Sequence, residues 1–125
     1  MIATVLDHIS IPVSNVEQSK RWYAQALAPL GMVLIAEGAG FAKLGIGPVP
    51  YLTLRECEMS PPTMHIALRA ENHSAVDDFH AAAVLAGGAC NGAPGLRTLY
   101  HPAYYGAFVL DPDGHNVEAV KHAPE

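Results

Sequence analysis

The stretch Ala107-Phe-Val-Leu-Asp-Pro-Asp-Gly-His-Asn-Val-Glu118 decides how this chain reads. Phe108, Val109 and Leu110 favour a pleated surface, and Asp111-Pro112-Asp113-Gly114 supplies turn chemistry. Proline presets one negative φ, and glycine accepts a positive one. The chain returns through Asn116 to Val120 with a carboxylate, Glu118, in mid-strand. On a solvent-facing strand such a glutamate is ordinary. On an inner face it is costly unless it is paired or bound to a cation. What matters is which other residues converge on it.

Working outward, Leu6 to Val13 reads as a strand with His8, Ser10 and Pro12 on one face and Ile9, Ile11 and Val13 on the other. Ser14 and Glu17 have capping-box spacing, and a helix to about Ala28 follows, closed by Pro29 and Gly31. Three short strands, near 32–37, 41–44 and 51–55, complete a β-α-β-β-β order. Met64 to Ala70 is again a strand with histidine as its second residue. A second helix start follows, with Ser74 and Asp77 in capping-box spacing, and Gly87-Gly88 stops it. The differences 65 − 8, 66 − 9, 79 − 22 and 88 − 31 all equal 57, pairing His8 with His65 and Trp22 with Phe79. Strand, cap, helix and stop recur in one register, which marks an internal repeat.

Aligning the last strand of each half sets Thr53 beside Glu118. The repeat thus yields four matched places, His8, Thr53, His65 and Glu118, of which three carry metal-binding side chains. The expected division is one domain over 1–125: a module over about 4–57, a linker over 58–63 with Ser60-Pro61-Pro62 at its stiff centre, and a module over about 64–122. The segment from Gly88 to Tyr104 reads as loose. Within Asn91 to Tyr105, glycines and prolines mix with three tyrosines, Arg97 and His101, as in an ordered lid.

Composition narrows the function classes. Seven Lys+Arg with no basic cluster and a net charge of −5 argue against a nucleic-acid surface or an anionic-membrane anchor. No apolar run approaches the ~20 residues that span a bilayer. The N-terminal residues lack a basic n-region, and Cys57 and Cys90 read as reduced thiols, so the expected location is cytoplasmic.

Two β-α-β-β-β halves, a histidine in the first strand of each, and Asp111-Pro112-Asp113-Gly114 followed by Glu118 resemble the vicinal oxygen chelate superfamily. This is the glyoxalase, bleomycin-resistance and extradiol-dioxygenase group, and the resemblance runs from Leu6 to about His122. It implies an α+β fold of two tandem βαβββ modules whose curved sheets form a cup around a divalent metal. By position, His8, His65 and Glu118 match the ligands, and Thr53 stands where glyoxalase I has a fourth, carboxylate ligand. Imidazole and carboxylate donors suit Fe, Mn, Ni, Co or Zn, and three ligands leave positions open for a substrate with vicinal oxygens.

The expected function is that of a small metal-dependent enzyme, a glyoxalase-like lyase or isomerase or a dioxygenase-like enzyme. Glu118 and Tyr105 are the candidate catalytic groups. Arg97, Tyr100, His101, Tyr104 and Tyr105 are the candidates for contacting a small-molecule substrate. A homodimer is the expected assembly. The rival reading is a bleomycin-resistance-like protein that binds a drug without turnover, for which the metal triad would be unnecessary.

Overall fold

In the computed structural model, which describes residues 5–58 and 62–124, the chain folds as two βαβββ modules. The first contains β1 (Ile9–Val13), α1 (Val16–Ala26), β2 (Val33–Gly38), β3 (Phe41–Ile46) and β4 (Val49–Glu56). The second contains β5 (His65–Arg69), α2 (His73–Leu85), β6 (Ala89–Leu96), β7 (Tyr105–Leu110) and β8 (Asn116–Lys121). Their sheets run β1-β4-β3-β2 and β5-β8-β7-β6, with the first and last strand of each module paired in parallel. Of the expected linker, residues 59–61, including Ser60 and Pro61, lie outside the described residues.

The ladders place Thr53 and Glu118 at equivalent positions. Ser10 pairs with Thr53 in the first module, and Ala67 pairs with Glu118 in the second. The helix caps obey the repeat too, though with different residues from those expected. Asn15 and Asn72 cap the helices, their side chains accepting from Gln18 N–H and Ala75 N–H, and 72 − 15 is again 57. Neither capping box forms. Ser14 gives its backbone N–H to Asp113, Glu17 pairs with Lys20, and Asp77 accepts a bond from Tyr105.

Two segments thought too rich in glycine and proline are strands. β4 begins at Val49 and includes Pro50, because the ladder slips between Leu44 and Gly45. A Cβ on Gly45 would collide with the Val49 carbonyl, so only glycine lets the strands approach there. β6 takes up Ala89 to Leu96 of the segment expected to be loose. It lies at the sheet edge, where Pro94 costs no ladder bond, and register shifts absorb its irregular backbone. The connecting loop is therefore only 97–104. In the other direction, β1 starts at Ile9, which leaves His8 one residue outside it.

Each sheet buries one face against its own helix. Ile11, Val13, Leu44, Leu52 and Leu54 form that core in the first module, and Val109, Val117 and Ala119 in the second. The helices pack on one another, with the Trp22 indole N–H donating to the Ala83 carbonyl at 3.0 Å. Trp22 and Phe79, repeat mates, are both buried, each contributing roughly 1.5–3 kcal/mol through its apolar area.

The Asp111–His115 turn locks the modules together. Asp111 accepts from the Asp113 and His115 backbone N–H groups and from the Tyr23 hydroxyl, the last at 2.6 Å. Asp113 accepts from Ser14 N–H, and His115 bonds the Pro12 carbonyl at 2.8 Å. Among the described residues, no helix is long and apolar enough to cross a membrane.

Candidate functional site

Glu118 lies on the face of its sheet opposite α2 and is only 1% exposed. Its neighbours follow from strand alternation. Phe108 is its cross-strand partner on β7, Ala67 its partner on β5, and His65 stands two residues before Ala67 on the same face. His65 Nε2 is 2.8 Å from Glu118 Oε1, and the Tyr104 hydroxyl donates to Glu118 Oε2. A nearly buried carboxylate therefore has an imidazole on one oxygen and a phenol on the other.

Tyr104 is held in place by its loop. Arg97 N–H bonds the Tyr104 carbonyl at 2.7 Å, and Tyr104 N–H bonds the His101 carbonyl at 3.2 Å. Gly106 makes room for the ring, since a Cβ there would meet Tyr104 at 3.1 Å and Glu118 Oε2 at 3.4 Å. Burial, and then the hydrogen bond and charge of Glu118, raise the Tyr104 hydroxyl well above the ordinary tyrosine value. It keeps its proton and is a standing donor.

The other expected substrate contacts divide. Tyr100 is mostly exposed and packs against Tyr104. His101 and His122 bond each other at 3.0 Å and set their rings edge-on to Tyr104. Arg97 lies 5.5 Å over the Phe108 ring, beside Gly92 and Gly95, and donates to the Ala93 carbonyl at 2.6 Å. Tyr105 does not join the group. It projects from the other face of β7, stacks on His73 at 3.8 Å and donates to Asp77 at 2.6 Å. Adjacent strand residues point oppositely, so only one of Tyr104 and Tyr105 can reach Glu118, and it is Tyr104.

His8 and His65 line one cavity of about 530 Å3 between the β1 and β5 edges, with Tyr51, Arg69 and apolar side chains such as Leu6, Ile9 and Met32. His8 bonds Asp7 at 2.7 Å. Among the described residues, one group of three ligand-bearing side chains has all its donor atoms within 4.8 Å, namely Asp111, Asp113 and His115. His8 therefore does not close on His65 and Glu118 within the chain. The Asp111 group is a poor metal site because its donors are committed. His115 Nδ1 accepts from Met64 N–H at 3.0 Å, which obliges Nε2 to carry the proton it gives to Pro12.

Arg69, Phe108, His122 and the locking role of Asp111 were not among the expected site features. Arg69 had a usable signal, since it lies four residues after His65 on a strand and so shares its face.

The family model described as the Glyoxalase/Bleomycin resistance protein/Dioxygenase superfamily matches residues 5–119. The chain belongs to this superfamily. Among solved structures, a glyoxalase/bleomycin resistance protein from Albidiferax ferrireducens T118 is 25% identical, with a TM-score of 0.79 over 94% of this chain and 98% of that one. A family enzyme from Burkholderia phytofirmans PsJN is 21% identical, with a TM-score of 0.72 over 94% and 98%. A glyoxalase-related enzyme from Fulvimarina pelagi is 19% identical, with a TM-score of 0.70 over 95% and 88%. Comparison with curated proteins gives no match. At such identities the superfamily likeness carries the fold, and the site must be argued from its own residues.

The donor set fits a divalent metal. A separation of 2.8 Å between His65 Nε2 and Glu118 Oε1 suits two adjacent ligands of one ion at bonds near ~2.0–2.2 Å.

Proposed function

We propose that this chain is a small metal-dependent enzyme of the superfamily, acting on a small substrate with two vicinal oxygens. His65 and Glu118 hold the metal in a homodimer, and His8 of the partner subunit completes the triad. The observation that carries the reading is Glu118, nearly buried on the inner face with His65 on one oxygen. The dimer is supported by the outer edges of β1 and β5, which pair with no further strand among the described residues, and by the exposure of Leu6, Ile46 and Tyr51 along the cavity they border. A cytoplasmic setting suits Cys90, an exposed thiol.

A bound metal would polarise the substrate oxygens and favour the charge that develops on them. The chain's own contributions are distinct from that. Glu118 is oriented by its two hydrogen bonds, and Tyr104 keeps its proton on the Glu118 oxygen that faces away from His65. Thr53, at the place matched to Glu118, offers only a hydroxyl, so the ligand set is two histidines and one carboxylate. Tyr104, which bonds Glu118, takes the place expected for Tyr105, which bonds Asp77 instead.

Metal analysis of protein purified without a histidine tag tests this reading. One divalent ion per chain is expected, falling below a tenth of that in Glu118→Gln with an unchanged circular dichroism spectrum. Equal metal in the two proteins would overturn it. Affinity is also expected to fall on acidification, because the ligands bind only when deprotonated.

A further inference from the structure

The inner faces of the two sheets are cationic in an acidic protein. Lys43 pairs with Thr53 and Arg55 with Phe41 in the first module, and Arg69 shares the face of His65 and Glu118 in the second. With Arg97 over Phe108, these account for four of the chain's seven Lys+Arg, whereas the net charge is −5. Strands carry three carboxylates, and two of them, Glu37 and Glu56, pair with Ala42 and Val13 on the helix-facing side. Glu118 is the third. None of the four cations forms an ion pair among the described residues.

Arg69 stands apart from the other three. It lines the cavity with His8 and His65, it is exposed, and no hydrogen bond or ion pair engages its guanidinium among the described residues. Arg97, by contrast, is already held by the Ala93 carbonyl. A planar, permanently charged fork at the border of a cavity matches the two oxygens of a carboxylate or phosphate. At roughly 3.3 Å per residue, His65 and Arg69 begin about 13 Å apart along β5.

We infer that the substrate is a small organic acid whose vicinal oxygens face His65 and Glu118 while a distal carboxylate or phosphate is held by Arg69. This rests on the enzyme reading above. It also gives that reading a direction, because a cationic cup selects against cationic ligands.

Calorimetric titration with three probes tests it. These are 2-oxoglutarate, its 5-methyl monoester, which blocks only the distal carboxylate, and the analogue in which a phosphonate replaces the distal carboxylate. Both acids are expected to bind at least tenfold more tightly than the ester. Arg69→Gln should lose at least tenfold for the acids and change the ester little, and Arg69→Lys should recover part of the loss. The acid whose affinity falls more in Arg69→Gln identifies the preferred anion. Repeating the series on EDTA-treated protein separates the two readings, since Arg69-dependent binding should persist there, weakened. If the untreated protein proves metal-free, the enzyme reading fails while the anion result still stands. An ester that binds as well as the acids, acid binding unchanged in Arg69→Gln, or no measurable binding of either acid would overturn the inference.

Discussion

In the proposed site, Glu118 and Tyr104 form the contact on which the chemistry would depend. Metal-binding carboxylates are generally fixed by a hydrogen bond to the oxygen not used for binding, and the Tyr104 hydroxyl makes that bond here. Tyr104→Phe is therefore expected to weaken metal binding by about 10-fold, read by competition with a chelating dye. An unchanged affinity would reduce Tyr104 to packing. Glu118 and His65 were legible in the sequence because the repeat named their partners. Tyr104 was named only alongside Tyr105, since two neighbouring tyrosines present opposite faces and the alternation has no origin until the turn fixes the register. Phe108 pairing with Glu118 sets that origin and gives the site to Tyr104. His8 was legible as a repeat mate. Its position before β1, bonded to Asp7, was not, because strand fraying depends on edge neighbours rather than on local sequence.

At the scale of elements, order and type were legible except for β6, and the cap errors sit where short polar residues compete for one role. Ser14 and Ser74 have good capping spacing, yet Asn15 and Asn72 accept the N-terminal amide bonds. Asn15→Ala and Asn72→Ala should each cost about 1 kcal/mol in denaturant melts, and the double variant about their sum, since the caps are independent. Ser14→Ala should cost less than about 0.5 kcal/mol, because Ser14 bonds Asp113 through its backbone. A loss from Ser14→Ala equal to that of Asn15→Ala would contradict the assignment. β6 was unreadable for a different reason. Asn91-Gly92 and Pro94-Gly95 are turn signals locally, and only the edge position lets them lie in a strand.

Across the whole molecule, the Asp111–His115 turn does for stability what Glu118 does for chemistry. Tyr23, buried in the first module, donates to Asp111 in the second. Burial and the neighbouring Asp111 raise the Tyr23 hydroxyl well above its ordinary value of 10.0. The folded state thus holds this proton after the unfolded chain has lost it. The contribution is whole below pH 10.0 and shrinks as pH rises beyond it. Tyr23→Phe should lower stability at neutral pH by about 1–2 kcal/mol and flatten the alkaline decline of the melting temperature. A variant with the parent's alkaline profile would contradict the role given to Tyr23. The sequence identified this turn as the most telling stretch but gave no hint that it bonds the other module. Those partners, Pro12, Ser14 and Tyr23, lie about a hundred residues away and meet it only in the fold.

The central claim is that His65 and Glu118 share one metal with His8 of the partner subunit, and a mixed dimer tests it most directly. Chains carrying His8→Ala and Glu118→Gln, each with a different non-histidine affinity tag, are co-expressed, and the heterodimer is isolated through both tags. Its metal content is then measured beside those of the two parent homodimers. One shared site in the heterodimer has lost both residues, and the other has lost neither. The account predicts nearly metal-free homodimers and one tightly held ion per heterodimer. A heterodimer as empty as its parents, or a His8→Ala homodimer that keeps its full complement, would contradict it.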